Sequence, residues 1–289
     1  MAEVGLVKFA CTAMSVLKES VPQFRTKFSK HVFSQPQLLA ILCLMRYEDW
    51  TFREAEVRLK EHRELLEALE LKKVPDHTTI YRFMRRVEEM LINEVLGATA
   101  RRVRSGGNGE KSTVAVDGTG LEGTSVSRFF VNRQRDRGQG LEWKAWCKWV
   151  VTVDVDRKVI LSQLARPAPV NDCASLPALV STANSVLPVG TVLADAEFDS
   201  ERNHRFCREE LGAVSIIPAK RGKKTWNIKG TRQEMRESFP RKSYGKRAIV
   251  ETVFSVVKRK LSAKAPGRSP EAQRRQAMLL GAAYNFYRL

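Results

Sequence analysis

The chain has 289 residues, 43% hydrophobic and 28% charged, which excludes a disordered polyelectrolyte and leaves room for one large domain or two ordinary ones. Lys and Arg number 50 against 32 Asp and Glu, a formal net charge of +18, and this points to a polyanionic partner. Nucleic acid is favoured over a membrane surface, because the bases are spread through structured segments and not gathered on one amphipathic helix.

No apolar run reaches the roughly 20 residues of a membrane span. The moderately apolar stretch Val4 to Leu17 is interrupted by Lys8 and lacks a basic leader or a clear cleavage site, so a soluble, intracellular protein with no membrane partner is expected. The five cysteines are scattered without a Cys-x-x-Cys pair and indicate neither disulfides nor a zinc site.

Residues 1–104 read as almost entirely helical. Ser34 can cap a helix that opens with Pro36 and carries the apolar run Leu38 to Met45, and Thr51 to Glu54 has the form of a capping box. Pro75 stops the charged helix that follows. Asp76 can cap the next one, where Ile80, Phe83, Met84, Val87, Leu91 and Val95 recur at helical spacing while Arg82, Arg85 and Arg86 point elsewhere. Two readings stand side by side here: a helix-turn-helix reader of DNA, and a helical packing or dimerisation domain with a solvated basic face.

Arg101 to Arg104, followed by three glycines within Ser105 to Gly109, marks a composition break, and residues 105–111 are taken as a linker. Beyond it the period changes from helical to extended. Ser112 to Val116, Trp146 to Val155 and Lys158 to Leu164 read as strands, the last two a hairpin through Asp156-Arg157. Asn171 to Ala183 reads as a helix, Gly190 to Ala194 as a buried strand, Ser200 to Leu211 as a helix and Ala213 to Ile217 as a strand. Two more helices close the chain. The expected fold class is α/β, a mixed sheet flanked by helices and preceded by an all-helical N-terminal domain. The expected domains are 1–104 and 112–289.

Lys220 to Arg247 holds eleven bases against Glu234 and Glu237, with Gly222, Gly230 and Pro240 among them. It reads as a loop or small insertion, at about 219–243, suited to phosphate. Trp226 inside it reads first as a surface or packing residue and second as a stacking platform for an extruded base. Trp143, Trp146 and Trp149 carry the same ambiguity, with the core the leading reading.

Three acids have sites in this pattern. Asp117 in Val-Asp-Gly-Thr is expected at the end of the first strand and Asp195 in Ala-Asp-Ala-Glu-Phe-Asp-Ser at the end of a later one. A carboxylate after an apolar strand is costly unless ionised and paired, and a metal ion is one way to satisfy it. Advancing about 100° per residue from Tyr244 puts Arg247, Glu251 and Lys258 on one stripe, opposite Ile249, Val250, Val253, Val256 and Val257. Three carboxylates can hold two Mg²⁺ ions for phosphoryl displacement. Glu197 and Asp199 are secondary acids, Asp199 the expected cap of the following helix.

Tyr244, Arg247, Glu251 and Lys258, spaced Tyr-x2-Arg-x3-Glu-x6-Lys, together with Asp117 and Asp195, resemble the signature of bacterial insertion-sequence transposases of the DDE type. The resemblance implies a ribonuclease-H-like catalytic domain over residues 112–289, with Asp117, Asp195 and Glu251 as catalytic metal ligands for two Mg²⁺ ions, for which Mn²⁺ can substitute. It implies that Tyr244, Arg247 and Lys258 contact phosphates at the element end, with Lys246, Arg241, Lys242, Arg82, Arg85, Arg86 and Trp226 as further DNA-binding candidates. The implied activity is binding of terminal inverted repeats, cleavage of double-stranded DNA at the element ends, and transfer of the 3′-hydroxyl to target DNA. That work implies a homodimer or larger synaptic assembly at the nucleoid of a prokaryotic cytoplasm. Only 56 positions separate Asp195 from Glu251 (251 minus 195), so the long insertion of larger relatives is absent. A DNA-binding regulator that no longer recombines DNA and a nuclease without strand transfer are the rival readings.

Overall fold

The computed structural model describes residues 4–28, 31–103, 111–123, 146–168, 170–220 and 229–289. Residues 105–110 of the expected linker, Trp143 and Trp226 lie outside them. The helical first part consists of α1 (Leu6–Ser20), α2 (Gln35–Tyr47), α3 (Phe52–Glu61), α4 (Arg63–Ala68), α5 (His77–Arg86) and α6 (Glu89–Arg102). Their starts follow the sequence signals. Ser34 with Gln37, and Thr51 with Glu54, form reciprocal capping boxes, and Asp76 accepts the amide of Thr79 at 2.9 Å.

The second part carries β1 (Ser112–Glu122), β2 (Trp146–Asp154), β3 (Val159–Pro167), α7 (Leu176–Val186), β4 (Val189–Ala194), α8 (Glu201–Arg205) and β5 (Val214–Ile216). It continues with α9 (Thr231–Glu237), α10 (Arg241–Tyr244), α11 (Ala248–Val256) and α12 (Pro270–Arg288). The strand order is β3-β2-β1-β4-β5, with β1, β2 and β3 antiparallel and β4 and β5 parallel to β1. This is the ribonuclease-H-like sheet. Asp154 sets the β2–β3 turn: its carboxylate accepts the amides of Asp156 and Arg157 at 3.0 and 2.8 Å and the Arg157 guanidinium at 2.7 Å.

Period-2 alternation sorts the sheet's side chains onto two faces. Val114, Val116, Val150, Leu161, Val192 and Ala194 pack against α7. Ala115, Trp149, Val151, Val153, Ile160 and Leu193 share the other cluster with α12, α11 and the helices of the first part. That second cluster runs from Phe9 to Tyr287, so the hydrophobic core crosses the expected division at residue 104. Helix α12 lies at its centre; Gln276 through Tyr287 are all buried, so the helix is covered all round.

Two expectations change. The first strand does not stop at Val116. Pairing with β2 continues through Glu122↔Trp146, whereas the parallel pairing with β4 ends at Val116↔Ala194. Asp117 therefore sits inside β1, at the level where the parallel ladder ends and the chain of β4 turns away at Asp195. The basic segment is also more ordered than a loop, since Thr231–Glu237 and Arg241–Tyr244 are helical.

Candidate active site

Asp117 projects from β1 toward α11 and is half-buried. Its Oδ1 accepts the amide of Gly118 at 2.7 Å, and its Oδ2 accepts Nη1 of Arg247 at 2.7 Å. The other arm of the same guanidinium, Nη2, donates to Oε1 of Glu251 at 2.7 Å. One planar fork thus bridges two of the three acids singled out by sequence.

Burial pushes the Asp117 carboxyl above the usual range, and the nearby charge of Asp195 pushes the same way. The Gly118 amide and Arg247 pull it back without cancelling the effect. Burial works against the charge of Arg247, but Asp117, Tyr244 and Glu251 outweigh it and raise its pKa. Asp195 follows β4, and its Oδ1 accepts the amide of Glu197 at 2.8 Å, which fixes a short 3₁₀ turn over Ala196–Phe198. Among the described residues no three His, Cys, Asp or Glu side chains converge into a metal-binding group. Arg247 lies between two of the carboxylates instead.

The helix carrying Glu251 is not one regular α-helix. A 3₁₀ turn at Gly245–Arg247 joins α10 to α11, and a π-helical turn at Val257–Leu261 ends it. Val250, Val253 and Val257 are buried, while Glu251 and Lys258 are exposed. Tyr244 is partly buried, edge-on to Phe239 at 4.9 Å, with Arg247 5.8 Å from its ring centroid. Burial raises its hydroxyl pKa first; Asp195 and Asp117 add to this, against the pull of Arg247. Arg241, Lys242 and Lys246 are exposed beside this helix, and Arg82, Arg85 and Arg86 are exposed on α5.

Asp199 does not cap the following helix. Ser200 does, accepting the amide of Asn203 at 3.1 Å. Both oxygens of Asp199 are taken elsewhere: Arg232 donates to them at 2.9 and 2.7 Å, and the amide of Lys220 at 2.8 Å. Glu201 accepts the amides of Thr231 and Arg232 at the start of α9, at 3.2 and 3.3 Å. The segment after Asp195 therefore anchors the basic stretch at its start, Lys220, and in its middle, Thr231 and Arg232. Trp149 is core, its indole N–H donating to Gln163 at 3.1 Å, and Trp146 packs over Gly120.

Sequence reading missed Lys148 and Asp172, an ion pair at 2.6 Å pressed against Gly118. One signal was available: Lys148 interrupts the apolar start of β2 and alternates with Val150, which packs against α7.

A ribonuclease-H-like sheet with one acid inside β1 where its parallel ladder ends, a second just past β4 and a third on a helix across them is the arrangement that the resemblance to DDE transposases implies. The chain is a member of that family: the transposase DDE domain matches residues 108–286, more than half of its length. The family carries out polynucleotidyl transfer and generally uses divalent metal ions. No curated protein matches the chain. Among solved structures it is similar to a chain of the cryo-EM piggyBac transposase synaptic complex with hairpin DNA, at 9% identity and a TM-score of 0.46, covering 98% of this chain and 74% of that one.

Proposed function

We propose that the chain is the transposase of a prokaryotic insertion sequence, which binds the terminal inverted repeats of its own element, cuts double-stranded DNA at the ends, and joins each 3′-hydroxyl to target DNA. The observation that carries this reading is Arg247, 2.7 Å from both Asp117 and Glu251. Two carboxylates that share one cation, one of them burdened by burial and by Asp195, form a place where positive charge is wanted.

The donor set fits a hard divalent cation: three carboxylates, no thiolate or imidazole among them, suit Mg²⁺, with Mn²⁺ as substitute. Asp117, Asp195 and Glu251 would hold two such ions. When bound, they supply Lewis acidity for phosphoryl transfer, easing ionisation of the attacking hydroxyl and offsetting charge on the leaving oxygen. The chain's other residues bind and orient. Arg247 offers a fork that matches a phosphate as well as it matches carboxylates. Tyr244 sits beside it, and the exposed Lys258, Lys246, Arg241 and Lys242 hold the DNA backbone near the acids by charge. No nucleophilic side chain is required, because the incoming oxygen comes from water or from the DNA itself.

Residues 1–104 are assigned to DNA binding or dimerisation, with Arg82, Arg85 and Arg86 as the basic face, and residues 112–289 to catalysis. Two ends must be held together, so a dimer or larger synaptic complex acts on nucleoid DNA. Among the described residues no helix is long and apolar enough to cross a membrane.

The test uses the purified protein, Mg²⁺, a plasmid carrying the coding sequence with its native flanking DNA, and a target plasmid. Cleavage at the element ends plus joined product is expected. Cleavage without joining would make the protein a nuclease, and binding without any product would make it a regulator.

A further inference from the structure

Lys148 lies on the sheet face opposite Asp117, but it reaches the same edge. Its ammonium makes three contacts with two separate pieces of chain: Oδ2 of Asp172 at 2.6 Å, the carbonyl of Val170 at 3.3 Å and Oε2 of Glu197 at 3.6 Å. The first two belong to the connection between β3 and α7, and the third to the turn that begins at Asp195. Asp172 is 4% exposed, and the Lys148 side chain 16%. A long cation held this deeply by two acids is not a solvated surface lysine.

The pair is built into the backbone that carries the acids. β-Pairing sets Gly118 opposite Val150 and Gly120 opposite Lys148. A Cβ on Gly118 would lie 2.8 Å from Oδ2 of Asp172 and 3.3 Å from Cε of Lys148, so glycine at this position is what lets the pair close over β1. The amide of that same Gly118 donates to Asp117, and the amide of Glu197 donates to Asp195. Lys148 and Asp172 therefore press on the residue that orients one acid, and Lys148 attracts the residue that orients the other. Without the ammonium, Asp172 and Glu197 would stand as uncompensated negative charges beside Asp195.

We infer that Lys148, through Asp172 and Glu197, is a positioning residue that fixes the Asp117 and Asp195 carboxylates relative to each other across the edge of the sheet. This rests on the reading of those two acids as ligands of a divalent cation. Groups that orient metal-binding side chains commonly carry a 10- to 100-fold effect on affinity or activity, and that is the range expected here.

The test uses the full chain with Lys148→Met, Lys148→Arg and Asp117→Asn. Mn²⁺ binding is followed by electron paramagnetic resonance without DNA, and cleavage of the flanked plasmid is measured at saturating Mg²⁺. If Lys148 acted only as a nearby charge, its removal would tighten Mn²⁺ binding, because a repelling cation is lost. If it served only the fold, thermal stability would fall while Mn²⁺ affinity and cleavage well below the melting temperature stayed at the wild-type level. Positioning predicts that Lys148→Met weakens Mn²⁺ binding about tenfold, slows cleavage by about tenfold or more, and that Lys148→Arg restores much of both. Should Lys148→Met fail to fold, the Lys148→Met/Asp172→Asn double variant leaves no charge of the pair unpartnered and is read in its place, with the same losses expected. Unchanged or tighter Mn²⁺ binding with wild-type cleavage overturns the inference while Asp117→Asn is dead. If Asp117→Asn itself binds Mn²⁺ and cuts normally, the assignment of the acids fails, and the positioning role with it.

Discussion

The sheet carries two polar clusters, and they are built on opposite principles. Where α12 crosses β3, Asn285 donates to the carbonyl of Ile160 at 2.8 Å and to Thr99 at 2.9 Å, and accepts the amide of Ile160 at 2.9 Å. Gln163 accepts from Trp149 at 3.1 Å and donates to the carbonyl of Met278 at 2.9 Å. These groups are neutral, buried and matched, as a seam that only has to hold must be. At the other cluster, Asp117 and Glu251 share Arg247, and burial, with the charge of Asp195, holds Asp117 above its ordinary range. Matched polarity specifies structure; unmatched charge marks the place prepared for something else.

The comparison predicts separable consequences. Asp195→Asn is expected to lower end cleavage at least about a thousandfold, because a ligand is lost, while the melting temperature moves by no more than about 2 °C, since the amide can still accept from Glu197. A stability loss in step with the activity loss would erase the distinction.

Arg232→Met tests the distinction from within the acidic side. Asp199 is buried and its pairing with Arg232 is complete, so this charge belongs with the matched seam, and loss of its partner is expected to cost about 3 kcal/mol in denaturant unfolding. A change under about 0.5 kcal/mol would show that the anchor is slack.

Asn285→Ala is expected to cost about 2 kcal/mol, from the unpaired groups it leaves behind, with cleavage retained at temperatures where the variant is folded. Loss of cleavage in the folded variant would link the seam to the site.

The smallest effect is an acid-dependent one in the helical part. Glu56 is held at about 2, from an ordinary 4.5, by Lys60 first and then by the amide and ring of His77. A depressed carboxylate stabilises the fold above its unfolded value and loses that contribution as pH falls from about 4.5 through about 2. Melting of Glu56→Gln should therefore fall less than that of the wild type over this interval. Parallel curves would remove Glu56 from the account.

How much of this was legible in the sequence depended on the range of the signal. Caps at Ser34, Thr51 and Asp76 are local and were read correctly, as was the succession of strands along the chain, though not their arrangement in the sheet. The Tyr244 to Lys258 stripe was legible in part: Arg247 and Glu251, one turn apart, reach one side as expected, but a 3₁₀ turn at Gly245–Arg247 and a π turn at Val257–Leu261 interrupt the single regular helix that the spacing assumed. The length of β1 was not, because it depends on which neighbour keeps pairing past Val116. Asp199 was misread because a short acid before a helix looks like a cap whether or not an arginine 33 residues later claims it. Lys148 and Asp172 were missed for the same reason: their meaning arises only when β2 lies beside Gly118.

The central claim is that Asp117 and Glu251, joined through Arg247, act as one unit in DNA cleavage. Single-turnover cleavage of the flanked plasmid by Asp117→Asn, Glu251→Gln and the double variant tests it most directly. Groups that serve one function are strongly non-additive, so each single change should lower the rate at least about a thousandfold and the double change little further. A single variant that cuts within tenfold of the wild-type rate, or a double variant that shows the full product of two separate losses, would contradict it.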